Sequence, residues 1–261
     1  MKIAVTTVFF EGEWPEAARD VQSRLGLMRE VIKKSRGARV VVLPAGFFRV
    51  SHERQLDGVR LKVETALQGC DAAVLWGIDV GEPDKGAAKK DGSLDPAIPS
   101  FAFLRLADGS VPICKEQQIA ATSKHSVKFG RLPMKRIVQV GRKKIGVIIC
   151  GEMLGNVYGR HKNAWKTRAI VRDADVVLDL AHANVAVGGP RSWMGAIEDC
   201  SAQRPVMVAQ HLAVRLLHGP QCGKNGDAPY INANAGQAQR RTVGSLGIGT
   251  HPAAIVDLYA V

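Results

Sequence analysis

The sequence predicts an α/β protein built on a mixed β-sheet, and three observations lead to that prediction. Apolar runs of strand length alternate along the chain with stretches in which apolar residues recur at helical spacing. Two of the runs flank a short turn, ADGS at 107–110, which is typical of a hairpin. The 261 residues contain no internal repeat and no low-complexity linker, so we expect a single domain over 1–261.

Each predicted element follows either from an apolar run of strand length or from helical spacing of apolar residues. The first strand is expected at 2–9, where the apolar residues form a nearly continuous run. Over 15–35 the spacing of Val21, Leu25 and Met28 predicts a helix, and Gly37 follows it as an end signal. Further strands are expected at 38–43, 72–80, 101–106, 111–115, 144–150, 176–181, 206–212, near Ile231, at 243–248 and at 253–259, further helices at 59–68, 161–172 and 192–203, and a mobile loop at 81–99.

Composition narrows the class of protein. A hydrophobic content of 46% with 23% charged residues is ordinary for a globular chain. The opening MKIAVTTVFF is too short to span a membrane and has no small-residue cleavage site, so we expect a cytoplasmic protein without a membrane anchor. The five cysteines are widely spaced and form no CxxC pair, which argues against a disulfide framework and against a zinc site.

The net charge of +12 would suit an anionic partner such as nucleic acid. The basic residues are spread along the chain, however, and few aromatic residues lie near them to stack on bases. A solvated basic surface is therefore the preferred interpretation, and nucleic-acid binding ranks last among the functions considered.

The most informative stretch is GVIICGEM at 146–153, in which an apolar strand ends at Cys150. Loops at strand ends often carry chemistry, because the sheet fixes the backbone while the loop exposes the side chain. A cysteine nucleophile needs a nearby base or positive charge, and the oxyanion that it forms needs hydrogen-bond donors. Lys115, at the end of another strand, could serve both needs. The alternative is a buried structural cysteine.

These residues resemble the nitrilase, or carbon–nitrogen hydrolase, superfamily, which places a glutamate, a lysine and a cysteine on three strand ends. Lys115 precedes Cys150 by 35 positions, as the family's lysine precedes its cysteine. The likeness extends from residue 2 to about 211, and the stretches that carry it are VVVLP at 40–44, VPICKEQ at 111–117, IICGE at 148–152, LAHANVAVG at 180–188 with Trp193 after it, and VMVAQ at 206–210.

The resemblance implies a four-layer α-β-β-α sandwich, a homodimer, and chemistry that needs no metal and no organic cofactor. It also implies hydrolysis of an amide or nitrile of a small molecule. Cys150 would attack the carbon, Lys115 and the backbone amide after Cys150 would stabilise the charge, and water would then hydrolyse the thioester. The candidate catalytic residues are Cys150, Lys115, Glu116 and Glu152, and the candidate substrate-binding residues are His182 and Asn184.

One departure from the family concerns the general base. The family has glutamate after the proline that ends its second strand, whereas this chain has Ala45, and alanine cannot transfer a proton. Ala45 is an engineered substitution, a natural replacement with the base supplied elsewhere, or the mark of an inactive binding or partner protein. The family's Arg-Ala-x-Glu-Asn stretch is also missing, since EDCSAQRP stands there. Candidates for a displaced base are Glu11, Glu13, Glu116, Glu152 and His182.

Overall fold

The described residues form a mixed α/β structure of thirteen strands with helices on its outer faces. The computed structural model describes residues 1–11, 14–81, 100–116, 136–150, 152–153, 164–182, 197, 199–202, 204–213, 232–233, 236–246 and 252–261. The strands are β1 (Lys2–Phe10), β2 (Val40–Val42), β3 (Phe48–Val50), β4 (Ala73–Val80), β5 (Ser100–Arg105), β6 (Ile113–Glu116), β7 (Ile137–Val140), β8 (Lys143–Ile149), β9 (Val176–Leu180), β10 (Val206–Ala213), β11 (Asn232–Ala233), β12 (Gln239–Val243) and β13 (Ala254–Ala260). The helices are α1 (Trp14–Ala17), α2 (Val21–Lys34), α3 (Leu56–Ala66) and α4 (Ala164–Asp173), with a 3₁₀ turn at Glu53–Gln55.

The strands pair in the order β6-β5-β4-β2-β1-β10-β9-β8-β7, so that the β1–β10 pairing joins two halves of one sheet. The strands β4, β2, β1, β10, β9 and β8 run parallel to their neighbours in this series. Their carboxyl ends therefore lie along one side of the sheet, which we call the carboxyl edge. Side chains that follow these strands can meet there.

The sheet curls until its two halves face each other, and the alternation of side chains shows this. Along β4, Ala73 and Leu75 belong to a buried cluster that also contains Ile149 of β8 and Leu178 of β9, which come from the other half. Val74 and Trp76 point the opposite way, into the cluster beneath α2 and α3. A third cluster lies between the second half-sheet and α4. These layers are the α-β-β-α sandwich that the resemblance implies.

Close packing of α4 depends on a glycine in β8. A Cβ atom built on Gly146 would lie 2.7 Å from the Cγ2 atom of Ile170 and 2.9 Å from the Cβ atom of Ala174. Glycine therefore lets the helix approach the strand.

Two expectations about elements were wrong. The helix expected at 15–35 is two helices, because the side chain of Asp20 accepts hydrogen bonds from the backbone of Gln22 and Ser23 and so begins α2. The strand expected at 243–248 lies at Gln239–Val243 instead. This strand is largely exposed, so its polar sequence has no apolar run, and Gly244 with φ 56° follows its end. Nearly all of the loop expected at 81–99 lies outside the described residues.

Within the described part of the chain, no helix is both long and apolar enough to cross a membrane.

Gly77 on β4 sets the position of the turn that contains Ala45. A Cβ atom at Gly77 would lie 2.6 Å from the backbone nitrogen of Gly46 and 2.8 Å from the Cα atom of Ala45. We expect Gly77→Ala to lower the free energy of unfolding by about 1–3 kcal/mol, because backbone atoms must shift to accept the methyl group. Urea unfolding checks this result.

Gly58→Ala on α3 is the matched control, since no atom lies within 4 Å of its added methyl group. This change should leave the free energy of unfolding unchanged or raise it by up to about 1 kcal/mol. Equal effects at the two glycines would contradict the close approach at Gly77.

Candidate active site

Cys150 follows β8 in an unusual backbone conformation. Its φ of 44° is the only positive value at a non-glycine residue in the described ranges. Two hydrogen bonds hold the conformation: the Cys150 amide donates to the Leu180 carbonyl oxygen at 2.7 Å, and the Met153 amide donates to the Cys150 carbonyl oxygen at 3.1 Å. Such strain is typical of functional sites, and the thiol here is only partly buried.

Glu152 stabilises the turn at Cys150 through buried contacts. Its carboxylate forms a fully buried ion pair with Arg136, and the exposed fractions of the two side chains are 0% and 1%. The carboxylate also accepts a hydrogen bond from the backbone nitrogen of Ile149 at 2.8 Å. A carboxylate held by these donors fixes the end of β8, so the geometry favours an anchoring role for Glu152 over proton transfer.

His182 lies beside Cys150 and is paired with a residue that the sequence analysis did not single out. Leu178 and Leu180 of β9 face the inner core, and His182 follows on the same face two positions later. Its Nε2 atom lies 3.1 Å from the Oδ1 atom of Asp79. The thiol of Cys150 is close enough to the imidazole to affect its charge and to form a hydrogen bond with it. Side chains from β4, β8 and β9 thus meet at the carboxyl edge.

The contact between Asp79 and His182 spans the two half-sheets. Along the sheet, β2, β1 and β10 separate β4 from β9, which corresponds to about 19 Å at the usual strand spacing. The two side chains therefore meet across the interior of the sandwich. The alternation along β4 places Asp79 on the inner face with Ala73 and Leu75, where its side chain is 1% exposed.

The charges around His182 favour its protonated form. Burial lowers the pKa of His182, but the negative charges of Asp79 and of the Cys150 thiolate, together with the hydrogen bonds to both, raise that pKa well above its ordinary value. His182 is therefore an imidazolium near neutral pH. An imidazolium beside a thiol favours the thiolate, which is the nucleophilic form of cysteine.

A second histidine contacts the turn at Ala45. The Nε2 atom of His211, a fully buried residue on β10, lies 2.9 Å from the carbonyl oxygen of Ala45. Burial and the positive charges of Arg24 and His182 lower the pKa of His211 well below its ordinary value, although the hydrogen bond to Ala45 opposes this shift. His211 is therefore neutral and donates to the Ala45 carbonyl. It fixes the turn that contains Ala45.

The other candidates fall in different parts of the chain. The backbone of Lys115 pairs with Ala102 on β5, in the same cross-strand row as Gly77. Glu11 is exposed at the end of β1. The side chains of Lys115 and Glu116, and the whole of Glu13 and Asn184, lie outside the described part of the structure.

Asp79 and His211 were missed by sequence reasoning, although each leaves the same signal. Each is a polar residue near the carboxyl end of a largely apolar strand, in AVLWGIDV and in VMVAQHLA. Continuing the inner-face alternation to the end of each strand would have placed both side chains in the core.

Comparison with known proteins shows the fold. No family model matches the sequence, and no curated protein matches it. Among solved structures, a cysteine-to-serine variant of an amidase of the nitrilase superfamily from Nesterenkonia AN1 superimposes with a TM-score of 0.58 at 16% identity, over 98% of this chain and 90% of that one. The chain has the fold of a nitrilase-superfamily amidase.

Two further structures of the Nesterenkonia amidase match similarly. A cysteine-to-alanine variant in complex with butyramide has a TM-score of 0.58 at 17% identity, over 98% of this chain and 90% of that one. A glutamate-to-glutamine variant carries the acetamide moiety of fluoroacetamide added covalently at the active-site cysteine, with a TM-score of 0.56 at 17% identity over 98% and 89% of the two chains.

An open cleft of about 710 Å³ lies at the opposite edge of the sheet, lined by Arg39, Asp108 and Arg142 among others. It contains no cysteine or histidine and is remote from Cys150, so its size does not mark it as the catalytic site. Among the described residues, no group of three or more histidine, cysteine or acidic side chains is arranged to hold a metal ion.

Proposed function

We propose that the protein is a carbon–nitrogen hydrolase that cleaves an amide or nitrile of a small molecule through a thioester at Cys150. The observation that carries the proposal is the contact of the partly exposed Cys150 thiol with a positively charged His182 at the carboxyl edge. The amidase fold supports it, since that fold places a reactive cysteine in its solved relatives. Short aliphatic amides are the first substrates to test, because the Nesterenkonia amidase binds butyramide.

For an amide, the reaction proceeds in two halves. The Cys150 thiolate attacks the carbonyl carbon, and the tetrahedral oxyanion collapses with cleavage of the C–N bond as the nitrogen accepts a proton and leaves as ammonia or an amine. Water then gives a proton to a base and attacks the thioester, which releases the acid and regenerates the thiolate. By resemblance, Lys115 and the backbone amide after Cys150 stabilise the oxyanion in both halves.

The test combines thiol reactivity with turnover. We expect iodoacetamide to alkylate Cys150 between pH 5 and 9 with a midpoint below the value of about 8.5 typical of a free thiol. Cys200 provides an internal reference, because burial and the charges of Asp179 and Asp199 raise its pKa to about 11. Intact-protein and peptide mass spectrometry measure both rates. Ammonia release is followed with acetamide, butyramide, acrylamide and the corresponding nitriles.

Two results would contradict the hydrolase. One is a Cys150 that reacts no faster than an ordinary thiol, and the other is the absence of ammonia from every amide and nitrile in the panel. Binding of those compounds without turnover would favour the second candidate, a non-catalytic binding protein. The observation in its favour is Ala45, which has no group that can transfer a proton.

A further inference from the structure

We propose that His182 and Asp79 together replace the general base that Ala45 lacks, with His182 as the catalytic acid and base and Asp79 as the residue that positions it. The proposal rests on the proposed function and names the residues behind its proton transfers. It differs from a glutamate base in using two side chains from opposite halves of the sandwich, one on β4 and one following β9.

The burial of Asp79 suits its carboxylate to pair with a positively charged side chain. Its carboxylate is 1% exposed, and a buried carboxylate requires a charged or hydrogen-bonding partner. The Oδ1 atom meets His182 at 3.1 Å, while the Oδ2 atom has no hydrogen-bond partner among the described residues. Much of the stabilisation of this carboxylate therefore comes from the imidazolium. Neutralising either partner leaves the other charge buried and weakly compensated.

The contact also fixes which ring nitrogen is available to the thiol. With Nε2–H directed at Asp79, Nδ1 is the nitrogen that serves Cys150, so the carboxylate sets the orientation of the ring and its tautomer. The side chain of His182 is 23% exposed, so substrate and water can reach the ring. Cysteine, histidine and aspartate thus form a linear series with the histidine in the middle.

This series supplies every proton that the reaction moves. The imidazolium of His182 gives its Nδ1 proton to the departing nitrogen when the C–N bond breaks, and it becomes neutral. Neutral His182 then takes a proton from water as the water oxygen attacks the thioester carbon. The second tetrahedral intermediate expels the Cys150 thiolate, and the imidazolium–thiolate pair is restored. Asp79 exchanges no proton in these steps.

Three titratable groups face His182 in the described structure: Asp79 from β4, Cys150 from β8 and His211 from β10. His211 is neutral and adds no charge. The two anionic groups therefore set the proton affinity of His182. Removing the charge of Asp79 lowers that affinity, so less imidazolium remains to stabilise the thiolate, and thiolate formation moves to higher pH.

The experiment measures alkylation of Cys150 by iodoacetamide from pH 5 to 9 in the unsubstituted protein and in Asp79→Asn, His182→Gln and the double variant. We expect Asp79→Asn to slow alkylation at pH 7 by about 10-fold to 100-fold, as expected for loss of a hydrogen bond to a charged group, and to move the midpoint upward. Because Asp79 acts through His182, the double variant should be no slower than His182→Gln alone. Asp175→Asn is the matched control. That exposed carboxylate lies before β9, and its one side-chain hydrogen bond among the described residues is accepted from the Lys144 amide.

An unchanged pH profile in Asp79→Asn, or fully additive effects in the double variant, would overturn the proposal. If Asp79→Asn fails to fold, the ¹⁵N shifts of His182 in the native protein decide: two protonated ring nitrogens at pH 7 support the pair, and a neutral ring at pH 6 refutes it. Alkylation requires no substrate, so the two proposals fail separately. If the protein hydrolyses amides but Asp79→Asn leaves the pH profile of alkylation unchanged, only the proposal for the Asp79–His182 pair is refuted. If the profile changes as expected but no amide is hydrolysed, only the hydrolase proposal is refuted.

Discussion

Cys150→Ser is expected to lower the rate of amide hydrolysis by roughly 10⁶-fold, the scale observed when a catalytic nucleophile is removed. Serine fits the space and differs by one atom, but its hydroxyl remains protonated because the neighbouring imidazolium already carries both ring protons and cannot accept another. The positive φ of Cys150 is imposed by the hydrogen bonds from Cys150 to Leu180 and from Met153 to Cys150, which serine retains. Ammonia release from butyramide checks the result.

Cys70→Ser is the matched control for this substitution. Cys70 is also a partly buried free thiol, and its Sγ atom contacts only the Ala72 carbonyl oxygen, at 3.7 Å, among the described hydrogen bonds. Hydrolysis should be unchanged in this variant. Residual turnover in Cys150→Ser within tenfold of the native protein would show that another residue is the nucleophile.

Glu152→Gln is expected to lower the free energy of unfolding by about 3–5 kcal/mol. The change leaves the guanidinium of Arg136 buried without its anionic partner, and it weakens the acceptor for the Ile149 amide. Urea unfolding followed by circular dichroism measures the loss. Because the same carboxylate fixes the end of β8, alkylation of Cys150 should also lose its selectivity over other thiols before the fold is lost.

Glu30→Gln makes the same chemical change at an exposed ion pair. Glu30 and Lys33 are 54% and 64% exposed on α2 and lie 4.0 Å apart, so this variant should shift the free energy of unfolding by less than about 0.5 kcal/mol. A loss below about 1 kcal/mol in Glu152→Gln would mean that the buried pair with Arg136 contributes little to stability.

The parts of the site that follow from local pattern were predictable. An apolar run that ends in a cysteine predicted the position of Cys150 at the end of β8. His182 was considered both for substrate binding and as a displaced base. These inferences need only the carboxyl end of one strand, which its own sequence reveals.

The remainder depends on how distant strands pack. Asp79 is one polar residue in an apolar strand, and its partner becomes evident only when the sheet curls and brings β4 against β9. The neutral state of His211 likewise depends on burial and on the charges of Arg24 and His182, which are remote in sequence. The predicted boundary of the first helix was wrong for a local reason. The cap formed by Asp20 begins a new helix within the segment that was expected to be one helix.

The meeting of Asp79 and His182 across the sandwich has a consequence for folding. The two residues are 103 positions apart, and neither half-sheet contains both of them. A chain with only one half formed has no charged pair and no activated thiol, so reactivity at Cys150 should arise late, after the long-range closure that makes such topologies slow to fold. Newly made, incompletely folded molecules would then not react with amides. The rate at which the thiol becomes reactive during refolding would measure the rate at which the two half-sheets come together.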